Sequence, residues 1–369
     1  MIPEGLVLDA RTVSPRFPGI GRYVLGLSRA WGAAASHALF FASPARDPRL
    51  PAGTTVRVEA SPFDLRQQWE VPRALRACGA RVYHAPYYLM PVAPGVPTVL
   101  NCWDMIPLAV PGLFPPAKRL AFRFAHTLVF RAARVIVVPT EATRADVVRF
   151  FPRSAQKLAV VPPGSGLDAR LGPGEARARR QALGLPSRYA LYVGTNKPHK
   201  NLPAMLAGWA LAAREAPDTT RGGTLVVAGP ADTRYPGAAA AAASNGIAGG
   251  VVDLGYVDDE TLAAVYAGSS LFLFPSRSEG FGLPVVEAMA HGVPVICGPA
   301  AAVREVAAGA ALAGDGTPEV IADAVVRLLR DPGERERLRA AGLSRASRFT
   351  WAAPARETAS VYRRALDGT

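Results

Sequence analysis

The sequence predicts two consecutive α/β domains, each built on a parallel β-sheet. Three observations lead there. The chain has 369 residues, more than one typical domain needs. Short apolar runs alternate with helical stretches along its whole length. The alternation pauses once, in a Gly/Pro-spotted stretch from Pro162 to Gly174, and then resumes.

The strands are read in order. LVLDA (6–10), ALFFA (38–42), TVRVE (55–59), RVYHA (81–85), TVLNC (98–102), RVIVVP (134–139) and LAVVP (158–162) belong to the first half. YALYVG (189–194), TLVVAG (224–229), VVDLG (251–255), LFLFP (271–275) and VPVIC (293–297) belong to the second. Near-continuous apolar runs suit strands buried on both faces, the state of a parallel sheet covered by helices. Helical patterns fill the gaps, among them Ala117–Ala133 and Thr140–Phe151. The alanine run 238–243, closed by Ser244-Asn245-Gly246, reads as one short helix with a stop signal. The tail, residues 350–366, carries an amphipathic helical pattern. No short repeat is present; the two halves share architecture alone.

Half of the residues are apolar, enough for large cores and against disorder. The formal net charge is +13, carried mainly by arginine: Lys118, Lys157, Lys197 and Lys200 are the only lysines. That charge reads either as a solvated basic surface or as a field for an anionic substrate, an acidic membrane or nucleic acid. Cys78, Cys102 and Cys297 are isolated and form neither a zinc pattern nor a disulfide framework. The N-terminus lacks a basic stretch followed by an apolar run, and no window is apolar enough to span a membrane. The expectation is a cytoplasmic protein with reduced thiols, peripheral to a membrane at most. A nucleic-acid role would rest on charge alone and ranks last.

Open parallel sheets bind ligands at the carboxyl ends of their strands. Three such ends carry unusual residues. After the strand at 189–194 comes GTNKPHKNLPAML. Gly194 ends the strand, Asn201 is placed to cap the following helix, and Pro203 suits its first turn. Lys200 then lies beside a helix N-terminus, with Lys197 and His199 nearby, which reads either as a phosphate site or as a surface loop. The second end is Leu254–Glu260. Its acids read as the N-cap and first turn of a helix from Thr261, and its Tyr256-Val257 backbone could flank a nucleobase. No metal pattern accompanies them.

The third end is SRSEGFGLPVVEAMAHGVPVI, residues 276–296. Pro284 fits the first turn of a helix running to about His291. Gly280 and Gly282 let backbone N–H groups approach a ligand. Glu287 either complements the macrodipole or accepts from a vicinal diol such as ribose. Glu279 stands at a strand end, where a carboxylate has no capping duty.

With those strings in view, the second half resembles the retaining glycosyltransferases of family 4, of GT-B architecture. The matching stretches are YVGTNKPHKNL, LGYVDDETLAAVYAGSSLFLFPS, EGFGLPVVEAMAHGVPVI and REVAAGAAL. In the first half, GIGRYVLGL, WDMIPL and VVPTEATRADVVRFF match as well. The resemblance implies two Rossmann-like domains facing each other across a cleft: an acceptor-binding domain (1–165), a nucleotide-sugar-binding domain (166–349) and a C-terminal helix (350–369) packing back on the first. The 163–174 stretch and the crossing before the last helix would be the hinges.

The resemblance also implies roles. Lys200 would neutralise the diphosphate leaving group and Glu279 would contact the transferred sugar, with Asp104 as a third catalytic residue. Gly194, Thr195, His199, Tyr256, Val257, Gly280, Phe281, Gly282, Leu283 and Glu287 would bind the donor. Gly19, Gly21, Tyr87 and Trp103 would line the acceptor or sugar pocket, with Tyr88 a weaker candidate; turn glycines, half-buried aromatics and a helix cap at Asp104 are the structural alternatives. No metal and no cofactor is expected beyond the nucleotide-sugar co-substrate. The acceptor would be a glycan, a lipid-linked intermediate or a small molecule.

Two positions depart from the family pattern. Trp103 stands where many relatives have a histidine that contacts the donor's hydroxymethyl group. Tryptophan offers one donor and no acceptor, so the donor sugar would lack a 6-hydroxyl, or Trp103 packs into the core, or activity is lost. Thr195 stands where an arginine often follows the strand glycine, so the diphosphate site is less cationic and Lys200 carries more of the charge. The alternative to an enzyme is an inactive member that binds nucleotide sugar as a partner or regulator.

Overall fold

The computed structural model describes residues 2–14, 18–32, 34, 39–42, 47–51, 53–110, 112–165, 171–217 and 223–368. Residue 38 of the second expected strand, and residues 166–170 of the expected linker, lie outside the described residues. The chain divides into two compact units, Met1–Gly164 with Phe349–Thr369, and Ser165–Arg348.

Among the described residues the first unit holds a seven-stranded sheet. Its strands are β1 (Leu6–Asp9), β2 (Leu39–Ala42), β3 (Thr54–Arg57), β4 (Val82–Ala85), β5 (Thr98–Asn101), β6 (Val135–Val138) and β7 (Leu158–Val160). Their order is β3-β2-β1-β4-β5-β6-β7, and every pair is parallel. Alternate side chains feed two cores, as the two-residue period of a strand requires. Leu6, Leu8, Val82, Val99 and Val135 join one apolar cluster; Val7, Tyr83, Leu100 and Ile136 join the other. Both faces are therefore covered, which is why these strands read as unbroken apolar runs.

The helix Ala352–Asp367 closes the first of those clusters with Ala355, Val361, Tyr362 and Ala365. Its Tyr362 hydroxyl lies 2.7 Å from His84 Nδ1, and His84 Nε2 lies 2.7 Å from Asn101 Oδ1. All three are buried, so the chain's last helix is tied to β4 and β5 by satisfied polar groups. Trp351, just before it, leaves no room for side chains at Gly26 and Gly164: a Cβ there would meet its ring at 2.1 and 2.6 Å.

The second unit holds a six-stranded parallel sheet among the described residues. Its strands are β8 (Tyr189–Val193), β9 (Thr224–Ala228), β10 (Val251–Asp253), β11 (Leu271–Phe274), β12 (Val295–Cys297) and β13 (Leu312–Ala313), in the order β10-β9-β8-β11-β12-β13. β13 is unanticipated: a strand of two residues, Leu312 and Ala313, is too short to show a pattern, and it exists because Ile296 and Cys297 offer it a ladder. Strand order reverses between β8 and β11, which pair directly. Connections leave those two strands toward opposite sides, so their carboxyl ends open a crevice for a ligand.

Candidate donor site at the strand-order reversal

The crevice is built from the residues after β8 and β11. Gly194 N donates to Ala228 O at 2.9 Å and extends the ladder beyond β8. Beside it Gly229, at φ +135°, could carry no Cβ, which would sit 2.3 Å from Gly194 O. Gly229 N in turn donates to Gly255 O at 2.7 Å, so three strand ends meet through backbone alone. Asn196 holds the next loop by donating to the carbonyls of Asp232, Tyr235 and Pro236.

A short 3-10 turn, Pro198–Lys200, then delivers Lys200 to the crevice. Its Nζ lies 2.7 Å from Glu279 Oε1, at ion-pair distance without the alignment of a hydrogen bond. It also stands 5.1 Å above the Phe274 ring, a cation–π distance. The two side chains are only 17% and 11% exposed. His199 is buried as well. Desolvation pushes its imidazole down to about 4, against the opposing pull of Glu279, so it is neutral at pH 7. The site's cationic charge at neutral pH is therefore lysine's rather than histidine's.

Asn201 differs from the sequence expectation. It precedes the helix Leu202–Glu215, but its side chain makes no capping bond. The residue adopts a left-handed conformation, φ 61°, and its amide donates to Gly316 O at 2.8 Å and Pro275 O at 3.3 Å. It ties three loops together, a task visible only once they are adjacent. Pro203 does sit in the first turn as expected.

The loop after β11 enters the helix Leu283–Ala290 through Gly282, whose φ of 96° favours glycine. Gly282 and Leu283 thus form a helix N-terminus, while Gly280 and Phe281 are buried and already have partners within the protein. Glu287, 2% exposed, accepts from the Tyr266 hydroxyl at 3.0 Å. Sequence reading missed Tyr266, which comes from the neighbouring helix Asp259–Gly268 and carries no local signal for a role. That helix is capped by Asp258, which accepts from Thr261 N at 2.7 Å, as expected. Tyr256 is 57% exposed and Val257 half-buried just before it.

Thr195 Oγ1, His199 Nδ1 and Ser276 Oγ are buried and lack a hydrogen-bond partner among the described residues. All three belong to the loops that follow β8 and β11. Buried polar groups without partners are costly, so these three are open to a polar ligand; others lie elsewhere in the chain, Thr12, Gln67 and Thr358 among them. Ser276 was also missed, although a small polar residue directly after an apolar strand is a legible sign. Among the described residues, no three His, Cys, Asp or Glu side chains are grouped to hold a metal ion.

The first unit places its own candidates as follows. Gly19 and Gly21 lie within the first turn of the helix Pro18–Ala30, not in a loop ahead of it. A Cβ at Gly21 would touch Thr12 O and Val13 Cα at 3.4 Å, whereas Gly19 has open space. Trp103 donates its Nε1–H to Pro86 O at 2.8 Å and meets Tyr23 edge-on at 4.9 Å. It packs against the core, and its one N–H is already used within the protein. Asp104 Oδ1 accepts from Ile106 N at 3.0 Å, at the start of the helix Ile106–Ala109. Tyr87 is buried against Tyr88 and Phe63. Unforeseen was a buried pair at the end of β1. Arg11 Nη2 lies 2.5 Å from Asp9 Oδ2, and Tyr83 donates to the same oxygen. Burial raises the Asp9 carboxyl, but the Arg11 guanidinium outweighs it and brings it below the ordinary range.

Two parallel-sheet units, the second with a lysine, a helix N-terminus and two glutamates at its strand-order reversal, define a GT-B fold. The fold is shared with a sucrose-phosphate synthase from Thermosynechococcus elongatus (TM-score 0.78, 21% identity, all of both chains). It is shared too with Anabaena HepE in complex with UDP and glucose (TM-score 0.76, 16% identity, 96% of this chain and 98% of that one). The profile "Glycosyl transferases group 1" matches residues 187–331, and "Glycosyl transferase 4-like domain" matches residues 18–164. An O-antigen chain mannosyltransferase B of Escherichia coli is 28% identical over 81% of this chain and 77% of its own. A D-inositol 3-phosphate glycosyltransferase of Frankia alni is 30% identical over 94% of this chain and 95% of its own. The chain belongs to the family 4 glycosyltransferases.

Proposed function

We propose that the protein is a retaining, metal-independent glycosyltransferase that uses a nucleoside diphosphate sugar. The observation that carries this reading is the Lys200–Glu279 pair at the reversal between β8 and β11. Cleaving a glycosyl–phosphate bond leaves negative charge on the diphosphate and an oxocarbenium-like sugar. Lys200 and the helix N-terminus at Gly282-Leu283 supply fixed positive potential for the former. Glu279, displaced from Lys200 by the incoming phosphate, turns to the sugar hydroxyls. Glu287, oriented by Tyr266, accepts from the ribose diol. Thr195, His199 and Ser276 supply further polar contacts. Retention follows from same-face attack, with the leaving phosphate assisting deprotonation of the acceptor. The acceptor is a glycan, a lipid-linked intermediate or a small molecule, and the work is done on the cytoplasmic side.

Thermal unfolding against UDP, GDP, TDP, CDP and ADP tests the donor site. A ligand at 100 times its dissociation constant adds about 2.7 kcal/mol. One selective stabiliser, lost in Lys200→Ala and Glu287→Ala, is expected and names the base. NMR of the product's anomeric configuration then tests retention. No stabilisation by any of the five would overturn the reading.

A further inference from the structure

We propose that the outward face of the helix Pro116–Ala132 is a docking surface for an anionic lipid bilayer. The helix is apolar on two sides. Its inner side is accounted for: Val129 and Phe130 lie in the core, and His126 stacks on Phe122 at 3.7 Å. Its outer side carries Leu120, Phe124 and Leu128, which are 70%, 65% and 39% exposed. These residues recur every four positions, so they form one stripe. Ala117 and Ala121 are exposed too and lie beside that stripe. A helix apolar all round is normally buried all round; here one apolar side has no role in the fold.

The charges say what covers it. Lys118, Arg123 and Arg131 are exposed and flank or end the stripe, and the helix contains no acidic residue. A second copy packed stripe to stripe would oppose like charges. Anionic headgroups would complement them while the leucines and phenylalanine enter the acyl boundary, and long basic side chains reach back to the phosphates. The helix is about 26 Å long, enough to lie in the interface along its length. Among the described residues no helix is long and apolar enough to cross a membrane, so the contact is peripheral. The proposal does not rest on the donor chemistry.

The test is flotation of the full chain with vesicles of phosphatidylcholine alone, or with 30% phosphatidylglycerol, in low and moderate salt, with no donor or acceptor present. At least tenfold stronger partitioning onto the anionic vesicles is expected, falling as salt rises. Leu120→Ser/Phe124→Ser/Leu128→Ser and, separately, Lys118→Glu/Arg123→Glu should each lose it about tenfold. Leu343→Ser, an exposed leucine of the other unit, should not. Should the triple variant unfold, Phe124→Gln alone is read. Equal partitioning on both vesicles, or partitioning unchanged in the variants, would overturn the proposal. So would a dimer in sedimentation that Phe124→Gln converts to monomer, which assigns the stripe to a second copy.

Discussion

Lys200 Nζ and Glu279 Oε1 lie 2.7 Å apart, joining the loops that follow two neighbouring strands whose connections run in opposite directions. In this arrangement the cation's nearest anion is a carboxylate of the protein itself. On the proposed reading, a diphosphate entering the site competes with that carboxylate before it gains the lysine.

That competition gives opposite signs for two variants. Glu279→Gln releases Lys200, so affinity for the free nucleoside diphosphate should rise several-fold while sugar transfer falls. Lys200→Met should lower both, with kcat/KM down roughly 100- to 1,000-fold, the scale of removing one preorganised electrostatic donor. Calorimetric titration with the diphosphate, beside turnover, checks the pair. A loss of diphosphate affinity in Glu279→Gln would refute the competition.

Tyr266→Phe should weaken nucleotide binding by about 1 kcal/mol, roughly fivefold, because Glu287 loses the hydroxyl that orients it. The effect should appear in KM for the donor more than in kcat. An equal loss for a ligand lacking the ribose would place Tyr266 outside this role.

Stability should fall with acid between about pH 6.5 and 4. Desolvation holds His84 and His126 down to about 4, below the ordinary 6.5. In that window the unfolded chain takes up protons that the folded protein refuses, so unfolding gains as pH drops, and the effect is complete below 4. Relative to pH 7, each histidine withdraws about 3 kcal/mol of stability by this route once the pH is below 4. Urea unfolding at pH 7, 5.5 and 4.5 measures it, and His126→Phe should flatten the profile.

Gly229→Ala should cost more than about 3 kcal/mol, since its Cβ would overlap Gly194 O and its backbone angle is strained for any side chain. The nucleotide-induced shift in Tm should vanish with it. A folded variant with an intact shift would show that the three strand ends do not shape the site.

Trp103 has no acceptor atom and its one N–H is held by Pro86 O. With matched 6-hydroxy and 6-deoxy donors, kcat/KM should favour the 6-deoxy sugar. A clear preference for the 6-hydroxy donor would leave Trp103 a packing residue only.

Much of this protein was legible in its sequence, because the evidence was local. Apolar runs buried on both faces betrayed the parallel strands, and Asp258 and Pro284 marked helix starts. The kinds of side chain in the candidate site were equally visible. Their partners were not. Asn201 looked like a cap and instead bridges the carbonyls of Pro275 and Gly316. Glu287 gave no hint of Tyr266, and Lys200 none of Glu279. Those pairings depend on strand order, since β8 and β11 become neighbours only when the sheet assembles. Sequence determines which segments form strands and what chemistry each carries. Hydrogen bonding between strands distant in the chain decides which chemistries meet, and only the tertiary structure contains that choice.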